Sequence, residues 1–358
     1  MAAGASSLSC RVMSYISWFA DVGLDHRPQV GGKGASLGEL RRAGIAVPPG
    51  FVVRTAAFEQ FLAAIEAEYA VRRRIEALSA ADLSAVSACC EAVRRRLQEA
   101  PLPAEVQRQI ESAHTELCGP QGKALAVRSS ATTEDAADAS FAGLQDTYLW
   151  IDGLSQTVER VRSCWASLYS VESVSYRRRR NLPEQGVAMA VVVQAMVDAR
   201  TAGVMFTRSP TTGDRSVISV EGAWGLGSAV VGGEVTPDRW VLGKVTGEIT
   251  VREISDKTIR HAPAVRGGIE TRPVEEAARR APCLSDEELQ TLRAIGRRVE
   301  RHYGCPQDIE WAVERCSGEV LLLQSRPETV WSSRECVPVA RAADNPLTHV
   351  LSIFGGRR

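Results

Sequence analysis

Hydrophobic and polar positions along the chain alternate between helix-like and strand-like stretches. Residues 14–24, Ser-Tyr-Ile-Ser-Trp-Phe-Ala-Asp-Val-Gly-Leu, predict a short strand leading into a loop. Gly31-Gly32-Lys33-Gly34 then opens a helix through Leu40, and residues 44–53 read as helix stop, turn and strand. From residue 55 to about 112, Ala, Glu, Arg and Leu recur with helical periodicity and predict a long helical region with a break near residues 80–82. Residues 124–128, Ala-Leu-Ala-Val-Arg, predict a buried strand ending on a charge, followed by a Ser/Thr-rich loop over 129–135. The apolar run at 187–197 predicts a second buried strand, and 203–206, 216–220, 239–242 and 248–254 predict a strand-rich unit after it. Helical pattern returns over 285–303, then two last strands at 308–313 and 319–324, with spacing suited to a hairpin. Residues 332–358 have weak periodicity and read as a tail or linker.

Composition sets limits on this picture. A chain of 358 residues, 44% hydrophobic and 24% charged, buries a sizeable core and is expected to divide into two domains or large subdomains. Lys+Arg and Asp+Glu balance at 43 each, so no global field recruits nucleic acid or an anionic membrane. The arginine runs at 72–74 and 177–180 lack the interleaved aromatics of base stacking and read as solvated helix faces. Nine cysteines without a C-x-x-C pair argue against a zinc knuckle or disulfide framework and for a reducing, cytoplasmic setting. No stretch has the length and apolarity of a membrane helix, and Met1 to Ala20 lack the apolar run of a signal peptide.

Three constellations carry candidate chemistry. Gly31-Gly32-Lys33-Gly34 before a helix offers backbone N–H groups and a point charge suited to polyphosphate, without the spacing of a Walker A loop; a plain turn with a helix cap is the alternative. Arg128 at a strand end, with Ser129, Ser130, Thr132 and Thr133 after it, suits phosphate oxygens, and the loop runs on to Gly143 and Thr147; an exposed Ser/Thr-rich linker is the alternative. Asp308 with Glu310, and Gln324 with Arg326, share faces of the two last strands. Oxygen ligands beside an arginine suit a Mg²⁺-triphosphate, unless these are solvent-facing positions of an edge hairpin. Of the histidines, His26, His114, His261, His302 and His349, none has a nucleophile context. His349 would be the phosphoryl-carrier candidate, yet no glycine-rich turn precedes it, and it reads as a tail residue.

Taken together and in this order, these segments resemble the N-terminal ATP-binding domain of the phosphoenolpyruvate synthase, pyruvate phosphate dikinase and rifampin phosphotransferase family. The matching blocks are Val30-Gly-Gly-Lys-Gly-Ala-Ser-Leu-Gly-Glu-Leu40, residues 44–53, 126–148 and 203–207, Glu221-Gly-Ala-Trp-Gly-Leu-Gly227, 233–238, and 308–329 with Gln324-Ser-Arg-Pro-Glu-Thr. The resemblance implies an α+β, ATP-grasp-type nucleotide-binding domain of two subdomains clamping ATP. Residues 1–14 would be an N-terminal tail, 15–198 the N-terminal subdomain with a helical insert, 199–331 the C-terminal subdomain, and 332–358 a tail or linker.

It also implies a reaction in which ATP gives its β,γ-diphosphate to a histidine on a swivelling domain, with AMP and phosphate as products. The phosphohistidine then serves an acceptor. Carried over by motif, Lys33 and Arg128 hold phosphates, Gly143 and Thr147 line the phosphate loop, and Gln194 with Met196 meet the adenine. Glu310 and Gln324 ligate Mg²⁺, and Arg326 stabilises the transferring group, so that Lys33, Arg128 and Arg326 form the catalytic set. Full-length relatives place histidine and acceptor domains after the Gln-Ser-Arg-Pro segment, where about 27 residues remain here. The expectation is therefore a separate subunit carrying the phosphohistidine and acceptor site, as in phenylphosphate-synthase-like enzymes that phosphorylate phenols. A non-catalytic ATP-sensing module and a stand-alone ATP-grasp ligase forming ADP are the alternatives.

Overall fold

The structure, a computed structural model, describes residues 13–331 apart from 80, 133–134, 137–138, 141–145 and 266. The first part of the chain runs β1 (Ile16–Trp18), α1 (Arg27–Arg42), β2 (Gly50–Val53), α2 (Thr55–Tyr69), α3 (Val71–Glu76), α4 (Leu83–Glu99), α5 (Ala104–Cys118) and β3 (Leu125–Ala131). The two-residue strands β4 (Asp135–Ala136) and β5 (Ala139–Ser140) follow, then β6 (Thr147–Ile151), α6 (Gly153–Ser167), α7 (Val171–Arg179) and β7 (Met189–Ala195). Beyond it lie β8 (Ala199–Phe206), β9 (Val217–Trp224), α8 (Ser228–Val231), β10 (Asp238–Gly243), β11 (Ile249–Glu253), β12 (Ile259–Pro263) and β13 (Ile269–Pro273). The described chain finishes with α9 (Glu276–Arg279), α10 (Asp286–Tyr303), β14 (Gln307–Glu314) and β15 (Val320–Pro327).

Mixed helix and sheet is thus observed. One sheet has the order β1-β2-β7-β3-β6 and the other β11-β10-β9-β8-β14-β15, while β12 pairs with β13 and β4 with β5 outside them. Neighbours within both sheets are antiparallel. The chain passes from the first sheet to the second at the tight connection between β7 and β8.

Local chemistry explains where the elements depart from their sequence pattern. The helical stretch over 55–112 is four helices. Ala70, at φ 49°, stops α2 in a left-handed residue, Asp82 caps α4 by accepting from the Ala85 N–H at 2.9 Å, and Pro101 and Pro103 separate α4 from α5. The short strand read within 14–24 is β1, and the loop expected after it holds two short 3₁₀ turns. The helix expected to open at Gly31 begins earlier, at Arg27, with Pro28 in its first turn; Gly31 is a kink inside it. α10 opens where its pattern predicts, with Ser285 and Glu288 forming a reciprocal capping box at its start.

Two large cores result. The first packs Phe58, Phe61 and Trp165 from the helices against Phe51, Val127, Val191 and Val193. The second spans both sheets: Val30 and Leu37 of α1, with Val52 and Val192, meet Met205, Ile218, Trp240, Leu289 and Trp311. Further ties run from α1 and its following loop to β15, Ser36 Oγ donating to the Ser325 carbonyl at 2.6 Å and Leu322 N–H to the Ala46 carbonyl at 3.0 Å. Among the described residues, no helix is long and apolar enough to cross a membrane.

Charge is also buried, against expectation at one of the arginine runs. Arg177 does not lie on a solvated face: it is 2% exposed and grips Glu184 with Nε and Nη2 at 3.0 and 3.1 Å while Nη1 donates to the Leu168 carbonyl and Ser173. A buried carboxylate opposite it compensates the desolvation that would otherwise expel it. Lys257 and Asp238 form a second such pair at 2.6 Å, both fully buried, with the Ser255 and Cys283 N–H groups donating to the same carboxylate. Replacing Asp238 with Ala strands an ammonium in the interior and is expected to cost about 3–5 kcal/mol. Urea denaturation of the variant checks this, and a loss below about 1 kcal/mol would show the pair to be dispensable.

Candidate functional site

The glycine-rich segment adopts its shape because of β3 beneath it. Gly31 sits at φ 70° and ψ 177°, and a Cβ there would lie 2.1 Å from the Ser130 carbonyl oxygen, so the close approach admits only glycine. The kink opens the helical ladder, and the Ser130 hydroxyl closes the gap by donating to the Val30 carbonyl at 2.8 Å and accepting from the Gly34 N–H at 3.1 Å. Lys33 follows directly, 9% exposed, with Nζ donating to the Ser129 carbonyl at 3.1 Å. The lysine and the Ser/Thr segment thus belong to one locus.

Arg128, one residue back on β3, joins this locus to the second sheet. Its Nη2 donates to Glu310 Oε2 at 3.0 Å and Gln324 Oε1 at 2.7 Å, and its Nη1 to the Leu323 carbonyl at 3.0 Å. The side chain is 10% exposed and that of Glu310 29%. The hairpin expected from the last two strands is present: Glu310 faces Gln324 and Asp308 faces Arg326 across β14–β15, with an irregularity after Glu310. β14 is not at the sheet edge, since β8 pairs along its other side. Arg326 approaches Asp308 at 3.4 Å and remains 54% exposed. Burial pushes the Asp308 carboxyl above the usual carboxylate range, and Arg326 offsets part of that rise.

A cavity of about 670 Å³ opens beside Arg128 and Glu310, bounded by both sheets. Thr147, Gln194 and Met196 also line it, with Ala126, Val197, Ala199, Ala202 and Leu323 giving it a largely apolar wall. Gln194 is buried on β7, donating to the Pro48 carbonyl at 3.3 Å, and Met196 lies just past that strand's end. Of the residues singled out from the sequence, Arg128, Thr147, Gln194, Met196 and Glu310 therefore share one cavity. Gln324 touches Arg128 at its edge, Lys33 lies on α1 just past the Gly31 kink, and Arg326 projects from the same hairpin two residues beyond Gln324. Gly143 and His349 lie outside the described residues.

Sequence reasoning singled out none of several other lining groups. Tyr148 donates to Asp146 at 2.9 Å, and burial with that carboxylate raises its phenol. Arg160 of α6 stacks over the same ring at 4.9 Å. Ser228 lines the cavity too. Tyr148 closes the matching block 126–148 without a readable role of its own, and Arg160 looks like any polar position of an amphipathic helix.

The donor set can be tested against a cation. A carboxylate and an amide oxygen converge on one point, the pairing a hard divalent ion prefers. No group of three or more His, Cys, Asp or Glu able to hold a metal occurs among the described residues. A cation at Glu310 and Gln324 would therefore complete its shell with phosphate or water oxygens.

Comparison with known proteins bears on this arrangement. Residues 27–345 match the family model described as pyruvate phosphate dikinase, AMP/ATP-binding domain. A probable phosphoenolpyruvate synthase of Methanothermobacter thermautotrophicus is 41% identical over 322 residues, covering 89% of this chain and 46% of that protein. The phosphoenolpyruvate synthase of Aeropyrum pernix is 38% identical over 351 residues, covering 89% and 43%, and that of Pyrococcus furiosus 35% over 356, covering 88% and 44%. This chain thus spans less than half the length of these relatives.

Gly31→Ala is expected to destabilise the fold by about 1–3 kcal/mol and to loosen the lysine-bearing turn of α1, since the residue would need a backbone region closed to alanine. Thermal denaturation and amide exchange at residues 30–34 would measure both, and an unshifted midpoint would mean the kink is not required.

Proposed function

Because the chain belongs to the pyruvate phosphate dikinase AMP/ATP-binding domain family, we propose that its cavity holds ATP in an ATP-grasp-type clamp and passes the β,γ-diphosphate to a histidine supplied by a partner subunit. The observation that carries this reading is Arg128, which reaches from the first sheet to Glu310 and Gln324 of the second beside a cavity whose wall is largely apolar. Charged groups beside apolar walls suit a nucleotide, with phosphates at Arg128 and base at Gln194 and Met196. Residues 15–198 and 199–331 are the two jaws.

Within this reading Lys33 and Arg128 take the phosphate oxygens with Thr147 beside them; Gly143, assigned to the same phosphates by motif, lies outside the described residues. Glu310 and Gln324 hold Mg²⁺, which when bound neutralises part of the triphosphate charge. Arg326, paired with Asp308 but more than half exposed, supplies positive charge where the transferring group departs. A fixed guanidinium does so without reorganisation at the moment of transfer.

The four described histidines support an external phosphoryl acceptor. None lines the cavity. His26 stands beside Asp25, His114 beside Cys118, His302 beside Glu39, and His261 between Ser228 and Glu234. The relatives' additional length is consistent with a histidine domain and an acceptor domain lying beyond this region. By likeness to phenylphosphate-synthase-like enzymes, the final acceptor is a phenol.

Incubation with Mg²⁺ and ATP labelled at the β- and γ-phosphates, with and without a histidine-bearing partner, tests the reading. AMP together with β-label on a partner histidine is the expected result; ADP would indicate a ligase instead. Arg326→Ala is expected to lower transfer at least about a hundredfold while leaving ATP binding within about threefold. Glu310→Ala is expected to weaken Mg²⁺-ATP about tenfold or more and to shift the metal titration, and an unmoved titration would remove Glu310 from the metal site.

A further inference from the structure

Behind one wall of the cavity, a polar chain runs from the half-exposed carboxylate of Glu234 through His261 to Ser228. His261 of β12 is 6% exposed, and both ring nitrogens are engaged. Nδ1 lies 2.8 Å from Ser228 Oγ and Nε2 lies 3.2 Å from Glu234 Oε2. Its backbone is pinned as well, since the His261 carbonyl accepts from the Leu226 N–H at 3.0 Å and approaches Gly225 so closely that a Cβ there would lie 2.4 Å away. The ring therefore holds a fixed position behind Ser228, which lines the cavity.

The hydrogen-bond roles follow from chemistry. Glu234, half exposed, offers only acceptor oxygens when ionised, so Nε2 carries the proton. In the neutral ring Nδ1 is then an acceptor, and the Ser228 hydroxyl must donate to it. The Ser228 oxygen is left with lone pairs toward the cavity and no proton to give. It is set to receive a donor from the ligand.

We propose that Ser228 recognises a sugar hydroxyl of the bound nucleotide and that His261, fixed by Glu234, is the positioning residue that holds Ser228 as an acceptor. The proposal rests on the nucleotide reading of the cavity. With phosphates at Arg128 and Glu310 and the base at Gln194 and Met196, the sugar is the portion between them, and its donors are hydroxyls. The wall formed by Leu226, Gly227, Ser228, Val231 and Gly232 has one polar side chain, Ser228. A ligand lacking the matching hydroxyl would leave that oxygen unpaired.

Equilibrium binding of ATP, 2′-deoxy-ATP, 3′-deoxy-ATP and purine riboside triphosphate to the full chain and its variants tests this. Ser228→Ala is expected to weaken ATP about three- to tenfold while leaving one of the two deoxy analogues unchanged, because the bond it removes is already missing there. His261→Leu should reproduce that pattern, and His261→Gln, whose amide oxygen can accept from Ser228, should restore most of the affinity. Glu234→Ala, at a half-exposed position outside the core, should give a smaller loss with the same analogue dependence. Equal losses for ATP and both deoxy analogues would overturn the sugar assignment, as would a loss that disappears only with purine riboside triphosphate, which lacks the base amine. Nitrogen-15 spectra of His261 showing the proton on Nδ1 would overturn the relay. Failure of the unmodified chain to bind any of the four nucleotides would instead defeat the nucleotide reading itself.

Discussion

The guanidinium of Arg128 is the constraint from which the site follows. Planar and permanently charged, it donates to three acceptors on the second sheet while its backbone stays in register between β6 and β7 of the first. Removing it would leave a carboxylate and an amide oxygen facing a mostly apolar cavity. Its presence fixes the separation of the two sheets and so the height of the space between them. Lysine could not replace it, because one compact ammonium does not span a carbonyl, a carboxylate and an amide at once.

Burial of charge is handled the same way elsewhere. Arg177 with Glu184 and Lys257 with Asp238 are closed sets in which the ions and nearby backbone groups satisfy one another. Arg326 differs, since its ion-pair partner among the described residues is Asp308 and more than half of its side chain meets solvent.

Much of this was readable from the chain alone. Period-two alternation put Asp308 with Glu310, and Gln324 with Arg326, on shared faces of the last two strands, whereas the register that sets Glu310 opposite Gln324 and Asp308 opposite Arg326 belongs to the folded hairpin and its irregularity after Glu310. The apolar runs became the buried strands β3 and β7 for an equally local reason. What escaped notice depends on distant partners. Arg177 looked like part of a solvated run, since Glu184 and the Leu168 carbonyl become its shell only after the helix has docked. The start of α1 at Arg27 was obscured by glycines that ordinarily break helices, and the Ser130 hydroxyl that repairs the kink lies a hundred residues away in sequence. Ser228 and His261 meet through a bridge between a loop and a ribbon that no periodicity encodes.

The core that contains α1 has a further consequence for how such a protein can be divided. Val30, Leu37, Val52 and Val192 are covered by Met205, Ile218, Trp240 and Trp311, which belong to the other side of the β7–β8 connection. A fragment ended at that connection would uncover a contiguous oily surface, each large side chain forfeiting about 1.5–3 kcal/mol of burial. The halves are thus poor candidates for independent expression or for exchange by recombination at that point. The gene is modular only at the scale of the whole nucleotide-binding unit.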